Sequence, residues 1–183
     1  MDYTERDLSS ILTALHFCAE KHRNQRRKDA GSTPYINHPI ELADLLWRIG
    51  KVRDTSVIVA ALLHDIIEDT NTGPDEIASR FGEAVLSMVL EVSDDKSLPK
   101  AERKRLQIEH AGHLSEAAKL IKLTDKICNV RDVANSPPKD WDSQRRREYL
   151  DWAEKVVDGI RGCNLPLEAF YDEIMRDGRE KLK

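Results

Sequence analysis

The stretch Val57-Ile-Val-Ala-Ala-Leu-Leu-His64-Asp65-Ile-Ile-Glu68-Asp69-Thr70 decides the fold of this chain. Seven apolar residues run directly into a histidine and three acidic residues. A helix that is apolar on almost every face must be buried, and charged groups at its end then need partners or a metal ion. The stretch therefore predicts a central buried helix whose last turns carry the chemistry of the protein.

Helical spacing sorts the four polar side chains of this stretch into two pairs. In a continuous helix, His64 and Glu68 share one face, and Asp65 and Asp69 share the next. An imidazole and a carboxylate that lie side by side can reach the same ion if other helices supply more ligands. A His-Asp dipeptide is common, however, and the same stretch also fits a helix end with solvated acids.

Composition narrows the class of protein. The chain has 183 residues, 40% of them hydrophobic and 34% charged, as expected for one domain with a solvated outer face. Its net charge of −4 provides no overall basic field for nucleic acid. No apolar run approaches the roughly 18 residues of a membrane span, and the acidic start of the chain argues against a signal peptide. We therefore expect a single domain over residues 1–183 with no nucleic-acid or membrane partner; the oligomeric state is left open.

The cysteines indicate a reducing compartment. Cys18, Cys128 and Cys163 are odd in number and far apart in the sequence. Such residues are most simply reduced thiols that pack as small apolar side chains. We therefore expect a cytoplasmic protein.

The rest of the chain predicts an all-α bundle with one short β-hairpin. Flanks of the turn-rich segment 24–34 are expected to pair as the hairpin, and residues 99–113 to form a charged, solvated helix. The last helix is expected to run from about Leu165 to Ile174. Residues suited to begin or cap helices are Asn37 with Pro39, Asp54 or Thr55, Pro74, Ser115, and Asp142 or Ser143.

Two further polar residues stand at positions where they could join the end of the central helix. His38 lies at a predicted helix start, and Asp125 lies on a helix that is otherwise apolar on one side. With His64 and Asp65 they give two imidazoles and two carboxylates from three helices. Such a mixed nitrogen and oxygen set suits a hard or borderline divalent ion such as Mn²⁺, Fe²⁺ or Mg²⁺. A structural zinc site would use thiolates, and none is suitably spaced.

Several motifs in order resemble a known family. They are Thr33-Pro-Tyr-Ile-Asn-His38-Pro, Ala60-Ala-Leu-Leu-His64-Asp65-x-x-Glu68-Asp69-Thr70 and Lys122-Leu-x-Asp125-Lys126-x-x-Asn129, with the flanking stretches His22–Asp29 and Val92–Leu98. Together they resemble the HD-type phosphohydrolases, and in particular the small alarmone hydrolases of the metazoan SpoT-homologue type. The resemblance covers about residues 12–167 and implies an HD-domain helical bundle.

The resemblance also implies a metal-dependent activity. It implies one Mn²⁺ per chain, held by His38, His64, Asp65 and Asp125, with Glu68 and Asp69 as the catalytic residues that activate water. The implied substrate is guanosine 3′,5′-bis(diphosphate), or its pentaphosphate relative, hydrolysed at the 3′-diphosphate to GDP or GTP and pyrophosphate.

A basic turn and two later residues are the candidates for binding the nucleotide. Arg26, Arg27 and Lys28 can neutralise diphosphate oxygens, which the net charge of the chain cannot do. Asn129 and Tyr149 match family positions that contact the nucleotide, although Tyr149 also lies on an apolar stripe that favours core packing. The substrate-binding candidates are therefore Arg27, Lys28, Asn129 and Tyr149.

Two alternative functions are also compatible with these motifs. Another HD phosphohydrolase, acting on deoxynucleoside monophosphates or on the 2′-phosphate of NADPH, would have the same metal residues. A non-catalytic alarmone-binding module would have lost some of them, whereas all four and both acidic residues are present here. The long alarmone enzymes carry a synthetase domain after the hydrolase domain. We expect none in this chain, which indicates hydrolysis without synthesis.

Overall fold

The computed structural model describes residues 3–183, and within them the fold is all-α, as predicted. The helices are α1 (Glu5–Lys21), α2 (Asn37–Arg48), α3 (Thr55–Leu63), α4 (Ile66–Asp69), α5 (Pro74–Phe81), α6 (Glu83–Val92), α7 (Lys100–His110), α8 (Glu116–Asn135), α9 (Ser143–Asp158) and α10 (Leu165–Lys181). A 3-10 turn, Ala111–His113, joins α7 to α8. In this part of the chain, no helix combines the length and apolarity required to cross a bilayer.

Helix α3 forms the centre of the bundle, because every residue from Val57 to Leu63 is buried. It packs against α1, α2, α6 and α8, and α10 packs along α8 on the far side. A helix buried on all faces has no amphipathic stripe, and α3 is stabilised by this surrounding layer of helices. The central helix that the sequence predicts is therefore confirmed.

Side-chain caps fix where five of the helices begin, and three of these starts are among those predicted from the sequence. The side chains of Asp54, Ser115 and Asp142 accept hydrogen bonds from Ser56 N, Ala118 N and Arg145 N at the starts of α3, α8 and α9. These bonds satisfy backbone donors that have no partner inside the helix, so the three predicted starts are confirmed. Asn37 is not a cap as predicted: it is already helical, and α2 begins without a side-chain cap.

The stretch from Val57 to Thr70 is not one continuous helix, which corrects the spacing argument made from the sequence. α3 ends at Leu63, and α4 begins only at Ile66. Asp65 has φ −103° and ψ 3°, outside the helical range. Adjacent residues on a straight helix point about 100° apart. The turn instead brings His64 Nε2 and Asp65 Oδ2 to 3.2 Å from each other.

The predicted hairpin is reduced to a single antiparallel bridge between Arg26 and Pro34. Arg27 N donates to Thr33 O at 2.8 Å, and Tyr35 N donates to Gln25 O at 3.1 Å. This short loop leads directly into α2 and holds the basic turn above the end of α3. At the other end of the chain, α10 continues to Lys181, beyond the predicted end at Ile174.

Candidate active site

Three separate segments bring two histidines and two aspartates together. His38 comes from α2, His64 and Asp65 from the turn between α3 and α4, and Asp125 from the middle of α8. Ligand atoms of His38, His64 and Asp65 all lie within 4.8 Å of one another. Asp125 Oδ1 lies 3.3 Å from His38 Nε2 and 3.9 Å from His64 Nε2. The structure thus collects all four residues that the sequence singled out.

Hydrogen bonding prepares His64 to act as a ligand. Its Nδ1 lies 2.9 Å from the carbonyl oxygen of Ala61, which can only accept, so Nδ1 carries the hydrogen. The lone pair is then on Nε2, which faces the cluster and is buried without a hydrogen-bond partner. A metal-binding histidine has this arrangement, in which the second ring nitrogen fixes the tautomer. His38 also keeps one buried nitrogen, Nδ1, without a partner.

The electrostatics of the cluster favour positive charge at its centre. Burial lowers the pKa of His38. Burial also acts to lower the pKa of His64, but the charges of Asp65 and Asp125 outweigh it and raise that pKa to about 9. Burial opposes ionisation of the two aspartates, yet the neighbouring cations hold the pKa of both below the usual value. A divalent cation would supply this positive charge without protonating the histidines.

Glu68 and Asp69 stand beside the cluster in different surroundings. Glu68 Oε1 accepts the backbone N–H of Asp94 at 2.6 Å and lines a polar pocket of about 120 Å³, and burial raises its pKa to about 7. Asp69 accepts hydrogen bonds from Lys96 Nζ and Gln25 Nε2, both at 2.8 Å. Lys96 Nζ also lies 3.5 Å from Glu68 Oε2, so one lysine spans both acids.

Tyr35 belongs to the site but was not singled out from the sequence. Its side chain is buried, and its hydroxyl donates a hydrogen bond to Asp65 Oδ2. It therefore orients a residue of the cluster from the loop that carries the basic turn. Its place in the motif that contains His38 was the available signal, and the two rings lie 5.7 Å apart in the structure.

A second pocket, of about 240 Å³, adjoins the cluster and contains all four substrate-binding candidates. Arg27 donates to Asn129 Oδ1 at 3.0 Å and pairs with Asp132, while Asn129 Nδ2 donates to Asp125 Oδ1 at 2.6 Å. Asn129 therefore connects the basic turn to the cluster. The lining residues that bear on recognition are Arg26, Arg27, Lys28, Asp69, Asn129, Trp141 and Tyr149.

Aromatic side chains form one wall of this pocket. The position of Tyr149 in this wall is compatible with both roles considered for it, packing and contact with a nucleotide. Its ring lies 5.6 Å from that of Trp141 and 5.3 Å from that of Trp152, so it packs within an aromatic row and still faces the pocket. Helix α7 has no buried residue, in agreement with the predicted solvated face, and it also lays Lys104 over Trp152 at 4.5 Å and Lys100 over Trp141 at 5.9 Å. The ammonium groups of Lys104 and Lys100 over these aromatic faces place positive charge beside this wall of the pocket.

The helical bundle with a buried histidine–aspartate cluster is the arrangement of an HD domain. A profile of the HD domain matches residues 14–151 of the chain. The chain belongs to the HD domain family, in the group of small metazoan SpoT homologues. The family implies dependence on a divalent metal, and His38, His64 and Asp65 form a candidate metal site, with Asp125 beside the two histidines.

Similar proteins and a similar solved structure cover nearly the whole chain. A protein of Xenopus tropicalis named guanosine-3′,5′-bis(diphosphate) 3′-pyrophosphohydrolase MESH1 is 53% identical over 171 residues, which are 93% of this chain and 96% of that protein. The Homo sapiens protein of the same name is 51% identical over 162 residues, 88% of this chain and 90% of that one. A solved structure, described as a metazoan ortholog of SpoT that hydrolyses ppGpp, has a TM-score of 0.91 and 46% identity, and covers 96% of this chain and 97% of its own.

Proposed function

We propose that this chain hydrolyses guanosine 3′,5′-bis(diphosphate), and its pentaphosphate relative, at the 3′-diphosphate. The products are GDP or GTP and pyrophosphate. The observation that carries the proposal is the junction of two pockets at Asn129, which lines both the polar pocket at the metal cluster and the basic nucleotide pocket. Relatives about half identical to this chain are named for this reaction, which supports the same substrate here.

We propose Mn²⁺, one ion per chain, as the cofactor, with His38, His64, Asp65 and Asp125 as its ligands. The buried Nε2 of His64, which has no hydrogen-bond partner, and the pair of carboxylates beside it support this assignment. When bound, the ion polarises the phosphate and lowers the pKa of the attacking water. Two imidazoles and two carboxylates are a donor set that suits such an ion.

We assign the catalytic proton transfer to Glu68, with Asp69 in support. Glu68 lines the polar pocket within reach of the cluster, and its pKa of about 7 suits a group that must accept a proton at neutral pH. Asp69 lines the adjoining larger pocket, and Lys96 contacts both acids and holds them in place.

The proposed reaction is a hydrolytic displacement at the phosphorus atom bonded to the ribose 3′-oxygen. Water forms a bond from its oxygen to that phosphorus and gives one proton to Glu68. The bond from phosphorus to the 3′-oxygen breaks, and the 3′-oxygen takes that proton from Glu68 and leaves as the ribose hydroxyl, which returns Glu68 to its carboxylate form. The oxygen of water therefore ends in pyrophosphate, and the nucleotide leaves as a 5′-di- or triphosphate.

We propose that Arg27, Lys28, Asn129 and Tyr149 bind the nucleotide. All four line the larger pocket, where Arg27 is fixed by Asn129 and Asp132 while Lys28 is exposed. An exposed ammonium at the pocket edge can move to a phosphate group, whereas a fixed guanidinium offers a preorganised contact.

We also propose that the described helices act as one hydrolase domain in the cytoplasm. The contacts of α10 with α8, and of α1 with α3, tie both ends of the described chain to the same core, which supports a single domain. Cys18, Cys128 and Cys163 are free thiols, two of them buried, which supports a reducing compartment.

The proposed function is tested by measuring pyrophosphate and phosphate release from a nucleotide panel in the presence of Mn²⁺. The panel contains guanosine 3′,5′-bis(diphosphate), NADPH and a deoxynucleoside monophosphate. We expect pyrophosphate release from the first, with the highest kcat/KM of the three. Asp125→Asn serves as the control for metal-dependent turnover. If kcat/KM were higher for NADPH or for the deoxynucleotide than for guanosine 3′,5′-bis(diphosphate), the proposed substrate would be wrong.

A further inference from the structure

Two buried lysines on α8 have no part in the chemistry described so far. Lys122 is 9% exposed and Lys126 is 3% exposed, and both line the polar pocket of about 120 Å³ that also contains Glu68. The two residues are one helical turn apart, so their side chains leave the same face of α8. Like charges at this spacing repel each other, and burial adds a desolvation cost to each ammonium.

The protein offsets this cost only in part. Lys122 Nζ donates to the carbonyl oxygen of Val92 at 2.8 Å. Lys126 Nζ donates to Asp125 Oδ2 at 3.1 Å and lies 4.5 Å from the centre of the Trp152 ring. An ammonium has three N–H donors, and these bonds use one on each lysine. A ligand with several acceptor oxygens and a negative charge would satisfy the donors that remain.

Apart from the ion pair of Asp125 with Lys126, the acidic residues around the pocket have partners other than the two lysines. Asp65 and Asp125 belong to the cluster for the divalent ion, and Glu68 accepts the N–H of Asp94. The Asp94 carboxylate accepts two hydrogen bonds from Gln107 Nε2, at 2.8 and 2.9 Å. Once a divalent cation balances the cluster, the two lysines give this part of the pocket its positive charge.

The size of the pocket restricts the ligand. At about 120 Å³, half the volume of the adjoining pocket of about 240 Å³, it has room for a phosphate group but not for a nucleoside. The nucleoside can be held only in the larger pocket, and Asn129 lines both. A 3′-diphosphate that extends from the larger pocket past the cluster would therefore place its terminal phosphate beside Lys122 and Lys126.

We propose that Lys122 and Lys126 bind the terminal phosphate group of the 3′-diphosphate and, after cleavage, the same group of the pyrophosphate product. This inference rests on the proposed function, and it predicts that the site selects a diphosphate over a monophosphate at the 3′ position. Hydrogen bonds from both ammonium groups to the terminal phosphate would hold the diphosphate extended beside the cluster.

The test compares two substrates that differ only in that terminal phosphate. They are guanosine 3′,5′-bis(diphosphate) and guanosine 5′-diphosphate 3′-monophosphate, each assayed with wild type, Lys122→Met and Lys126→Met. Lys119→Met is the matched control, because Lys119 lies on the same helix and pairs with Glu116 at 2.8 Å outside both pockets. We expect each buried variant to lower the ratio of kcat/KM for the diphosphate over the monophosphate by about ten- to 150-fold. We expect the control to keep the wild-type ratio.

Binding of inorganic pyrophosphate and inorganic phosphate, measured by calorimetry, provides a readout independent of turnover. The wild type is expected to bind pyrophosphate more tightly than phosphate, and both buried variants to lose this preference while they retain a helical circular-dichroism spectrum. An unchanged substrate ratio or an unchanged preference in folded variants would overturn the inference. A wild type that binds pyrophosphate in this way but hydrolyses neither nucleotide would refute the proposed function and leave the subsite standing.

Discussion

Asp65 and Glu68 are three positions apart but belong to different parts of the site. Asp65 accepts a hydrogen bond from Tyr35 and lies 3.2 Å from His64 Nε2, inside the cluster. Glu68 is fixed by the N–H of Asp94 in the wall of the pocket. The roles proposed for the two carboxylates, metal binding for Asp65 and water activation for Glu68, can therefore be tested separately by mutation.

We predict that Asp65→Ala loses bound metal and activity together, whereas Glu68→Ala keeps the metal and loses turnover. A group that activates water need not be a metal ligand. Metal content after desalting and pyrophosphate release, measured on the same samples, separate the two variants. Equal loss of metal in both would contradict this division of roles.

The raised pKa of Glu68 also has a consequence for stability. Burial raises that pKa from 4.5 to about 7 in the folded chain. The folded state then holds a proton that the unfolded state releases, so this residue lowers stability as pH rises through that interval. We predict that Glu68→Gln stabilises the metal-free chain by about 1–3 kcal/mol at pH 8 and changes it little at pH 4. Chemical denaturation at both pH values measures this, and an equal effect at the two would refute it.

At the scale of elements, helix starts were predictable because their causes are local. Asp54, Ser115 and Asp142 each bond to a backbone N–H two or three residues ahead, which the sequence shows directly. The break between α3 and α4 has no such signal, because no glycine or proline occurs between Leu63 and Ile66. Contacts from elsewhere stabilise it, such as the hydrogen bond from the Tyr35 hydroxyl to Asp65.

Helix α7 shows a second limit of reasoning from the sequence. Its charged sequence has no apolar stripe, and charge alone predicts a solvated helix. The helix has no buried residue, as predicted, but charge alone does not reveal that Lys104 and Lys100 also cover Trp152 and Trp141 with their long aliphatic stems and charged ends. Trp141, in the loop before α9, was also missed, because an isolated tryptophan in a loop gives no periodic pattern from which its position can be predicted.

The loop between α1 and α2 carries a prediction about substrate choice. Lys28 lies exposed at the edge of the nucleotide pocket, whereas Arg27 is committed to Asn129 and Asp132. We predict that Lys28→Ala lowers kcat/KM for guanosine 3′,5′-bis(diphosphate) by about ten- to 150-fold and affects a simple aryl phosphate far less. Lys155→Ala, at an exposed position on α9, is the matched control. Equal losses on both substrates would mean that Lys28 supports the metal site or the fold.

At the scale of the whole molecule, the cluster joins segments that are distant in sequence. Its four residues come from α2, the turn after α3, and α8, which pack together around the core. The sequence motifs identified these residues, but their convergence depends on the packing of α2 and α8 against α3. A bound ion would therefore stabilise the fold as well as supply chemistry.

We predict that removing the metal by chelation lowers the melting temperature by about 5–10 °C. A ligand present at about 100 times its Kd stabilises the native state by about 2.7 kcal/mol, and each kcal/mol shifts a chain of this size by about 2–4 °C. Thermal unfolding with and without excess Mn²⁺ measures the shift. The Asp125→Asn variant should show almost no change in melting temperature on addition of Mn²⁺. A change as large as that of the wild type would exclude the assigned metal site.

The central claim is that water deprotonated by Glu68 attacks the phosphorus atom on the ribose 3′-oxygen, and that this step requires the divalent metal that His38, His64, Asp65 and Asp125 would hold. Hydrolysis of guanosine 3′,5′-bis(diphosphate) in ¹⁸O-labelled water with Mn²⁺, followed by mass spectrometry of both products, tests it most directly. The account predicts GDP without label and pyrophosphate with one ¹⁸O atom, formed only when the metal is present. Label in the nucleotide, release of single phosphate groups, or the same products after chelation would contradict it.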